Sequence, residues 1–462
     1  MLKIYKISPT IFRAYDIRGV VGTELTADGI FALGLALGNA AQEKNQKQFI
    51  VGRDGRLSSP EIAHMLIDGI LESGCEVIDV GMVPTPVLYF ATQTIGTGTG
   101  VMVTGSHNPK QYNGFKMLIA GDTLYGDAIQ ALYQRIVNGN LVKDIKGSYS
   151  KQNVQDQYLE KITTQIQLKR PLKIVIDSGN GVTGNLAPRL FEALGCNVIP
   201  LYCEIDGHFP NHHPDPMVPK NLEMLIKTVK SKRAHLGLAF DGDGDRLGLV
   251  TNKGEIIWPD RQLMLFAQDI LSRHPGAPII YDVKCTHLLK ELISNCGGKP
   301  IMSQTGHSLI KAALKRENAP LAGEMSGHIF FNDNWYGFDD ALYSAARLLD
   351  LIAAQKKSVS AVFAQFPEWV STPEITVPIA EEKKFAVIQA LQQTALFPDA
   401  EISTIDGIRA DFVNGWGLVR ASNTTASLIC RFEANDEQTL SEIQELFRTQ
   451  ILAQAPELEL PF

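Results

Sequence analysis

Three times along this chain the same order of signals recurs, and this repeat constrains the fold more than any other feature of the 462 residues. Each unit opens on a short β-branched run: FIVGRD from Phe49, KIVIDSGNG from Lys173 and PIIYDVK from Pro278. Runs of this kind, ending in polar or glycine residues, read as buried parallel strands. A helix-like stretch follows each, and then a second strand led by glycine: Gly74-CEVIDVG, Gly195-CNVIPLY and Gly297-GKPIMSQ. Glycine just past a helix end is the expected C-terminal cap. A later apolar strand then runs into a glycine-rich polar loop, TGSHNP from Thr104, DGDGDR from Asp241 and GEMSGH from Gly323.

Strand and helix alternating in this way predict an α/β fold of three similar domains with mixed, mostly parallel sheets. Ligands of such sheets bind beyond the carboxyl ends of the strands, so the three loops are expected to face a central cleft. From about Pro367 the pattern changes. A helix-like stretch around Phe385–Leu396, the segments IDGIRADF and WGLVRASNTTASL, and a closing helix near Gln438–Gln454 predict a smaller α+β domain. The expected domains are 1–152, 153–254, 255–367 and 368–462.

The net charge of −7 gives no reason to expect nucleic acid or an anionic membrane as partner. The start, MLKIYKISPTIF, lacks the pattern of a secretory signal, and no apolar run reaches the roughly 18 residues of a membrane span. The six cysteines are scattered and form no C-x-x-C, so reduced thiols in a cytoplasmic protein are expected. The sequon at Asn423-Thr424-Thr425 is accordingly read as unglycosylated. The oligomeric state is not fixed by sequence, and a monomer is consistent with it.

The three loops carry reactive groups. Asp241, Asp243 and Asp245 repel one another, and the intervening glycines let them converge. A hard divalent cation is the natural counter-charge, and magnesium suits a few carboxylates plus a phosphate oxygen. An EF-hand is excluded, because its sixth position would be Arg246 and its twelfth Asn252. Ser106, between Gly105 and His107, is a candidate nucleophile on a loop or else part of an ordinary serine turn. It does not lie in a G-x-S-x-G elbow, since Thr104 and Asn108 hold the glycine positions. Lys116 is placed to match developing charge. Glu324 and Ser326 suit vicinal sugar hydroxyls and His328 suits proton transfer, although a helix start would account for Glu and Ser equally. Arg420, Ser422, Asn423, Thr424 and Thr425 read as a phosphate clamp or as a polar strand-to-turn segment. His212 and His213 are adjacent and so face opposite ways in an extended chain, which favours a Pro-rich loop over a metal site.

Together, TGSHNP, DGDGDR, GEMSGH and RASNTT, in that order over essentially the whole chain, resemble the phosphoserine, metal, sugar and phosphate loops of the α-D-phosphohexomutase superfamily. Within it, FRAYDIRG at Phe12–Gly19 and the methionine of GEMSGH resemble the bacterial phosphomannomutase/phosphoglucomutase family rather than phosphoglucosamine mutases, which usually read closer to FGTDGIRG and GEQSGH. The resemblance implies reversible interconversion of mannose and glucose 1- and 6-phosphates through phosphorylated Ser106, with one Mg2+ per chain held by Ser106, Asp241, Asp243 and Asp245. It implies a hexose 1,6-bisphosphate that serves as intermediate and activator, catalytic roles for Ser106, Lys116, His328 and Arg18, and hexose phosphates as the partners. It also places Tyr15, Arg18, His107, Lys116, Arg246, Lys284, His307 and the sugar and phosphate loops against substrate. Domain four is expected to move, since the intermediate must turn around. The rival readings are a phosphoglucosamine mutase, a metal-dependent sugar phosphatase and a non-catalytic sugar-phosphate sensor.

Overall fold

The computed structural model describes residues 5–423 and 425–462. The chain forms two compact units, one running to Pro259 and taking in Ser326–Phe363, the other comprising Asp260–Met325 and Ala364–Phe462.

The first unit holds two sheets. Strands β1 (Ile17–Val20), β2 (Gln48–Arg53), β3 (Glu76–Met82), β4 (Gly100–Val103), β5 (Tyr112–Ile119), β6 (Asp122–Thr123) and β7 (Tyr149–Lys151) make a seven-stranded sheet in the order β1-β5-β4-β2-β3-β7, with β6 on β5. Strand β2 is parallel to β3 and β4, and β5 runs antiparallel to β1 and β4. Helices Ala27–Glu43 and Ser59–Glu72 carry a glycine each where they cross. A Cβ on Gly34 would meet Leu66 O at 2.2 Å, and one on Gly69 would meet Phe31 O at 2.1 Å, so only glycine allows this approach. Strands β8 (Lys173–Asp177), β9 (Asn197–Leu201), β10 (Leu236–Phe240), β11 (Leu247–Thr251) and β12 (Ile256–Ile257) form the second sheet, ordered β12-β11-β10-β8-β9. Every residue of β10 and β11 is buried, which explains their unbroken apolar runs.

Also in this unit, Asp340 caps helix Ala341–Ala353 by accepting from Tyr343 N at 2.9 Å. Its carboxylate also accepts from Tyr158 Oη–H at 2.8 Å and Trp335 Nε1–H at 3.1 Å, beneath a Trp335–Tyr343 stack with ring centroids 4.2 Å apart.

In the second unit, strand Pro278–Asp282 lies parallel between Lys299–Ser303 and Leu321–Gly323. A separate antiparallel sheet runs Val370–Ser371, Ser427–Ala434, Gly415–Ala421, Ile408–Phe412 and Glu401–Ser403, with Ile375–Pro378 also on Ser427–Ala434. Helices Lys384–Thr394 and Glu437–Gln454 cover it around Phe432 and Phe447. The fold is therefore three α/β domains with mixed, mostly parallel sheets and a smaller C-terminal domain. The glycines that lead the second strands, Gly74, Gly195 and Gly297, all have positive φ, as helix-ending caps require. The six cysteines are free, and among the described residues no helix is long and apolar enough to cross a membrane.

Candidate active site

The DGDGDR segment is the tight turn of the β10–β11 hairpin, and its three carboxylates are fully buried. Asp241 Oδ1 accepts from the amides of Gly244, Asp245 and Arg246 at 3.0–3.2 Å, so the loop folds around this one oxygen. Gly244, at φ +79, supplies the left-handed step. Asp243 Oδ2 accepts from Thr85 Oγ1 at 2.6 Å, Thr104 Oγ1 at 3.1 Å and Lys116 Nζ at 2.8 Å. Lys116 Nζ also donates to Asp245 Oδ2.

Ser106 sits at the other wall. It is buried, adopts the left-handed region at φ +46, and donates from Oγ to Asp241 Oδ2 at 2.8 Å. His107 Nδ1 lies 3.0 Å from the same Oγ. Burial, with the Arg246 and Arg18 guanidinium groups nearby, holds the His107 imidazole well below its ordinary pKa, so it stands neutral. Arg18 donates to Asn108 Oδ1 and pairs with Asp16 at 2.5 Å, which ties strand β1 to the serine loop. Arg246 Nε donates to His328 Nε2 at 3.1 Å, and His328 Nδ1 lies 3.1 Å from Asp339. Tyr15 is half-buried just before β1, and Ser326 is half-buried two residues before His328. The GEMSGH segment is a turn, so the helix-start reading of its Glu and Ser falls away.

The charge balance of this pocket bears directly on metal binding. Burial and the neighbouring Asp243 and Asp245 push Asp241 well above the usual carboxylate range. Burial and Asp243 likewise raise Asp245. Burial opposes ionisation of Asp243 too, yet the Lys116 ammonium holds it low, while the two carboxylates hold Lys116 charged against its own burial. One ammonium thus faces three carboxylates. Asp243 Oδ1 and Asp245 Oδ1 are buried without a hydrogen-bond donor, and one oxygen from each of the three aspartates lies within 4.8 Å of the others. Buried acceptors with no donor are costly. An all-oxygen donor set with excess negative charge fits a hard divalent cation.

The second unit assembles the other expected residues. Gly306 N donates to buried Glu324 at 2.5 Å, which brings Glu324 to the start of the helix that His307 opens. Thr305 N donates to Asp406 Oδ2 at 3.0 Å, and Arg420 Nε donates to the same oxygen at 2.9 Å. Lys284 Nζ pairs with Glu374 at 2.6 Å. Arg409 donates to Val283 O and Cys285 O at 2.6 and 2.8 Å, and Arg431 to Lys284 O, so all three carbonyls around Lys284 are held. Arg420 is the penultimate residue of strand Gly415–Ala421, Ser422 Oγ accepts from Thr425 N at 3.1 Å, and Asn423 is half-buried. Thr424 lies outside the described residues. His212 Nε2 faces Asp177 Oδ1 at 3.1 Å.

Sequence reasoning missed Asp54, Arg56, Thr85, Asp339 and Glu374. A signal for the first was present. The opening strands FIVGRD, KIVID and PIIYD each end in aspartate. Asp54 accepts from Gly105 N at 3.1 Å and Asp282 from Met325 N at 3.1 Å, so in two of the three repeats this residue braces the reactive loop.

Comparison with known proteins agrees with this architecture. Models of the phosphoglucomutase/phosphomannomutase α/β/α domains I, II and III match residues 9–143, 156–254 and 258–369, and that of the C-terminal domain matches 374–450. The chain belongs to the phosphoglucomutase/phosphomannomutase family. A phosphomannomutase/phosphoglucomutase of Pseudomonas aeruginosa is 54% identical over 98% of both chains. A phosphoglucomutase of Neisseria gonorrhoeae is 50% identical over 96% of this chain and 97% of its own. A solved family member from Burkholderia thailandensis superimposes with a TM-score of 0.94 at 51% identity, covering 99% of this chain and all of that one.

Proposed function

We propose that this chain reversibly interconverts the 1- and 6-phosphates of glucose and mannose, through phosphorylated Ser106 and a hexose 1,6-bisphosphate. The observation that carries this reading is the Ser106 hydroxyl, 2.8 Å from one of three converging buried carboxylates and 3.0 Å from His107 Nδ1. Relatives at 50–54% identity are named for these activities.

In this reading Asp241, Asp243, Asp245 and Ser106 hold one Mg2+ per chain, which when bound spreads the charge of the transferring phosphoryl group. Arg18 and Lys116 add fixed positive charge beside Ser106, where the oxygens of the group in transfer accumulate negative charge. Asp243 and Asp245 keep Lys116 protonated, so it acts as a charge and not as a base. We assign the proton of the sugar hydroxyl to His328: Asp339 faces its Nδ1 and orients the ring, and its Nε2, which accepts from Arg246 Nε, takes that proton once Arg246 turns to the substrate phosphate. Glu324 and Ser326 hold the 3- and 4-hydroxyls shared by the two sugars. Tyr15, His107, Arg246, Lys284 and His307 line the substrate site. Arg420, Ser422, Asn423, Thr424 and Thr425 grip the phosphate that is not reacting, and the bisphosphate turns between half-reactions. We assign the enzyme to the cytoplasm and divide its chain into the four domains given above.

One coupled assay with the 1-phosphates of glucose, mannose and glucosamine tests the reading. Turnover of the first two, stimulated by the 1,6-bisphosphate and without release of inorganic phosphate, is expected. Release of phosphate, or a large preference for the glucosamine compound, would reject it.

A further inference from the structure

Beneath the serine loop lies a guanidinium that touches none of the reacting groups. Arg56 is 2% exposed. Its Nη2 donates to Ser106 O at 2.7 Å and to Asn108 O at 2.6 Å, and its Nη1 to Pro109 O at 2.8 Å and Tyr112 O at 3.0 Å. Four carbonyls, three of the serine loop and one at the first residue of β5, thus converge on one planar fork. Asp54, equally buried, pairs with Arg56 Nε at 3.2 Å. The same carboxylate accepts from Thr104 Oγ1 at 2.9 Å and from Gly105 N at 3.1 Å, so the pair holds both N–H and C=O groups of the loop.

The packing leaves no slack. A Cβ on Gly105 would stand 2.4 Å from Arg56 Nε, and one on Gly242, in the acidic loop, 2.3 Å from Ser106 O. Ser106 O is therefore held between the guanidinium and the backbone of the carboxylate turn. This matters because Ser106 sits at φ +46, a conformation that a non-glycine residue keeps only when its surroundings impose it. That conformation aims Oγ at Asp241.

We propose that Arg56, seated by Asp54, is a positioning residue that fixes the backbone of Ser106 so that its Oγ points at the carboxylate cluster. The inference rests on the reading of Ser106 as the phosphoryl carrier. Releasing the loop would misplace the oxygen by about an ångström, and misplacement of that size costs on the order of a hundredfold in rate. Substrate contacts lie on other residues, so the loss belongs to kcat and not to KM.

The test compares Arg56→Ala, Arg56→Lys and Gly105→Ala with the wild type, measuring kcat, KM for glucose 1-phosphate, thermal midpoint and phosphate on Ser106 by peptide mapping. Gly105→Ala keeps the guanidinium but wedges it off the loop by one methyl group. The expected result is a folded protein with kcat reduced roughly a hundredfold, KM within about threefold of wild type, no rescue by lysine, and partial rescue of Arg56→Ala by added guanidinium. Wild-type kcat in Arg56→Lys or Gly105→Ala would overturn the inference, as would a loss confined to KM. Failure of all three variants to fold would make Arg56 a stability element and reject the positioning role. Phosphate mapped to another residue of the wild type would instead reject the reading of Ser106 itself, and the inference with it.

Discussion

Ser106 and Asp241, 135 residues apart in sequence, meet at 2.8 Å, the serine donating its hydroxyl proton to the carboxylate. The contact joins the loop after β4 to the turn after β10, and so one sheet to the next. It places the Ser106 hydroxyl beside three converging buried carboxylates. That is unfavourable for a serine alone and useful once a cation is present to draw a phosphate in.

Removing one carboxylate tests that logic. Asp243 and Asp245 each present a buried oxygen without a hydrogen-bond donor. Asp243→Asn or Asp245→Asn is expected to weaken Mg2+ binding by at least about tenfold in calorimetric titration. Exhaustive chelation is expected to abolish turnover, with recovery on adding Mg2+. Unchanged Mg2+ affinity in both variants would place the ion elsewhere.

Much of this arrangement was legible in the sequence, for a physical reason. Buried parallel strands must be apolar, helix ends need residues that accept positive φ, and converging carboxylates need glycines between them, so β8, Gly195 and Asp241–Asp245 each leave a local mark. Arg56 leaves none, because its role consists of four bonds to main-chain carbonyls 50 to 56 positions away, and any residue can supply a carbonyl. Asp339 and Glu374 are likewise ordinary acidic residues until folding sets them beside His328 and Lys284. Gly34 and Gly69 are the reverse case, glycines inside helices that look unfavourable until the close crossing explains them.

Asp340 is expected to contribute to the stability of the first unit. It caps a helix and accepts from Tyr158 and Trp335 in a fully buried site. Asp340→Ala leaves those donors unpaired and is expected to cost about 2–4 kcal/mol in denaturant titration. Burial pushes the Asp340 pKa up to about 7. An acid raised on folding holds its proton more tightly in the native state. Its contribution is therefore full below about pH 4, the unfolded value, and is lost as the pH rises through about 7. Asp340→Asn should remove that part of the decline. An unchanged slope between those limits would count against the assignment.

Asp406 accepts from the Nε edge of Arg420 at 2.9 Å, which orients the guanidinium plane. A charge-assisted hydrogen bond contributes roughly 1.5–3 kcal/mol. Arg420→Ala is accordingly expected to lower kcat/KM by about 10–100-fold, with lysine restoring only part because an ammonium lacks the planar fork. The loss should be similar with 1-phosphate and 6-phosphate substrates, measured in both directions. A defect with only one of them would require two separate distal-phosphate sites.

On the proposed function, Ser106 carries the phosphoryl group. Isotopically labelled hexose 1,6-bisphosphate, incubated with the protein and followed by peptide mapping, tests it most directly. Label is expected on Ser106 in the wild type, chased off by glucose 6-phosphate, and none in a folded Ser106→Ala variant. Label on any other residue, or undiminished turnover in Ser106→Ala, would contradict it.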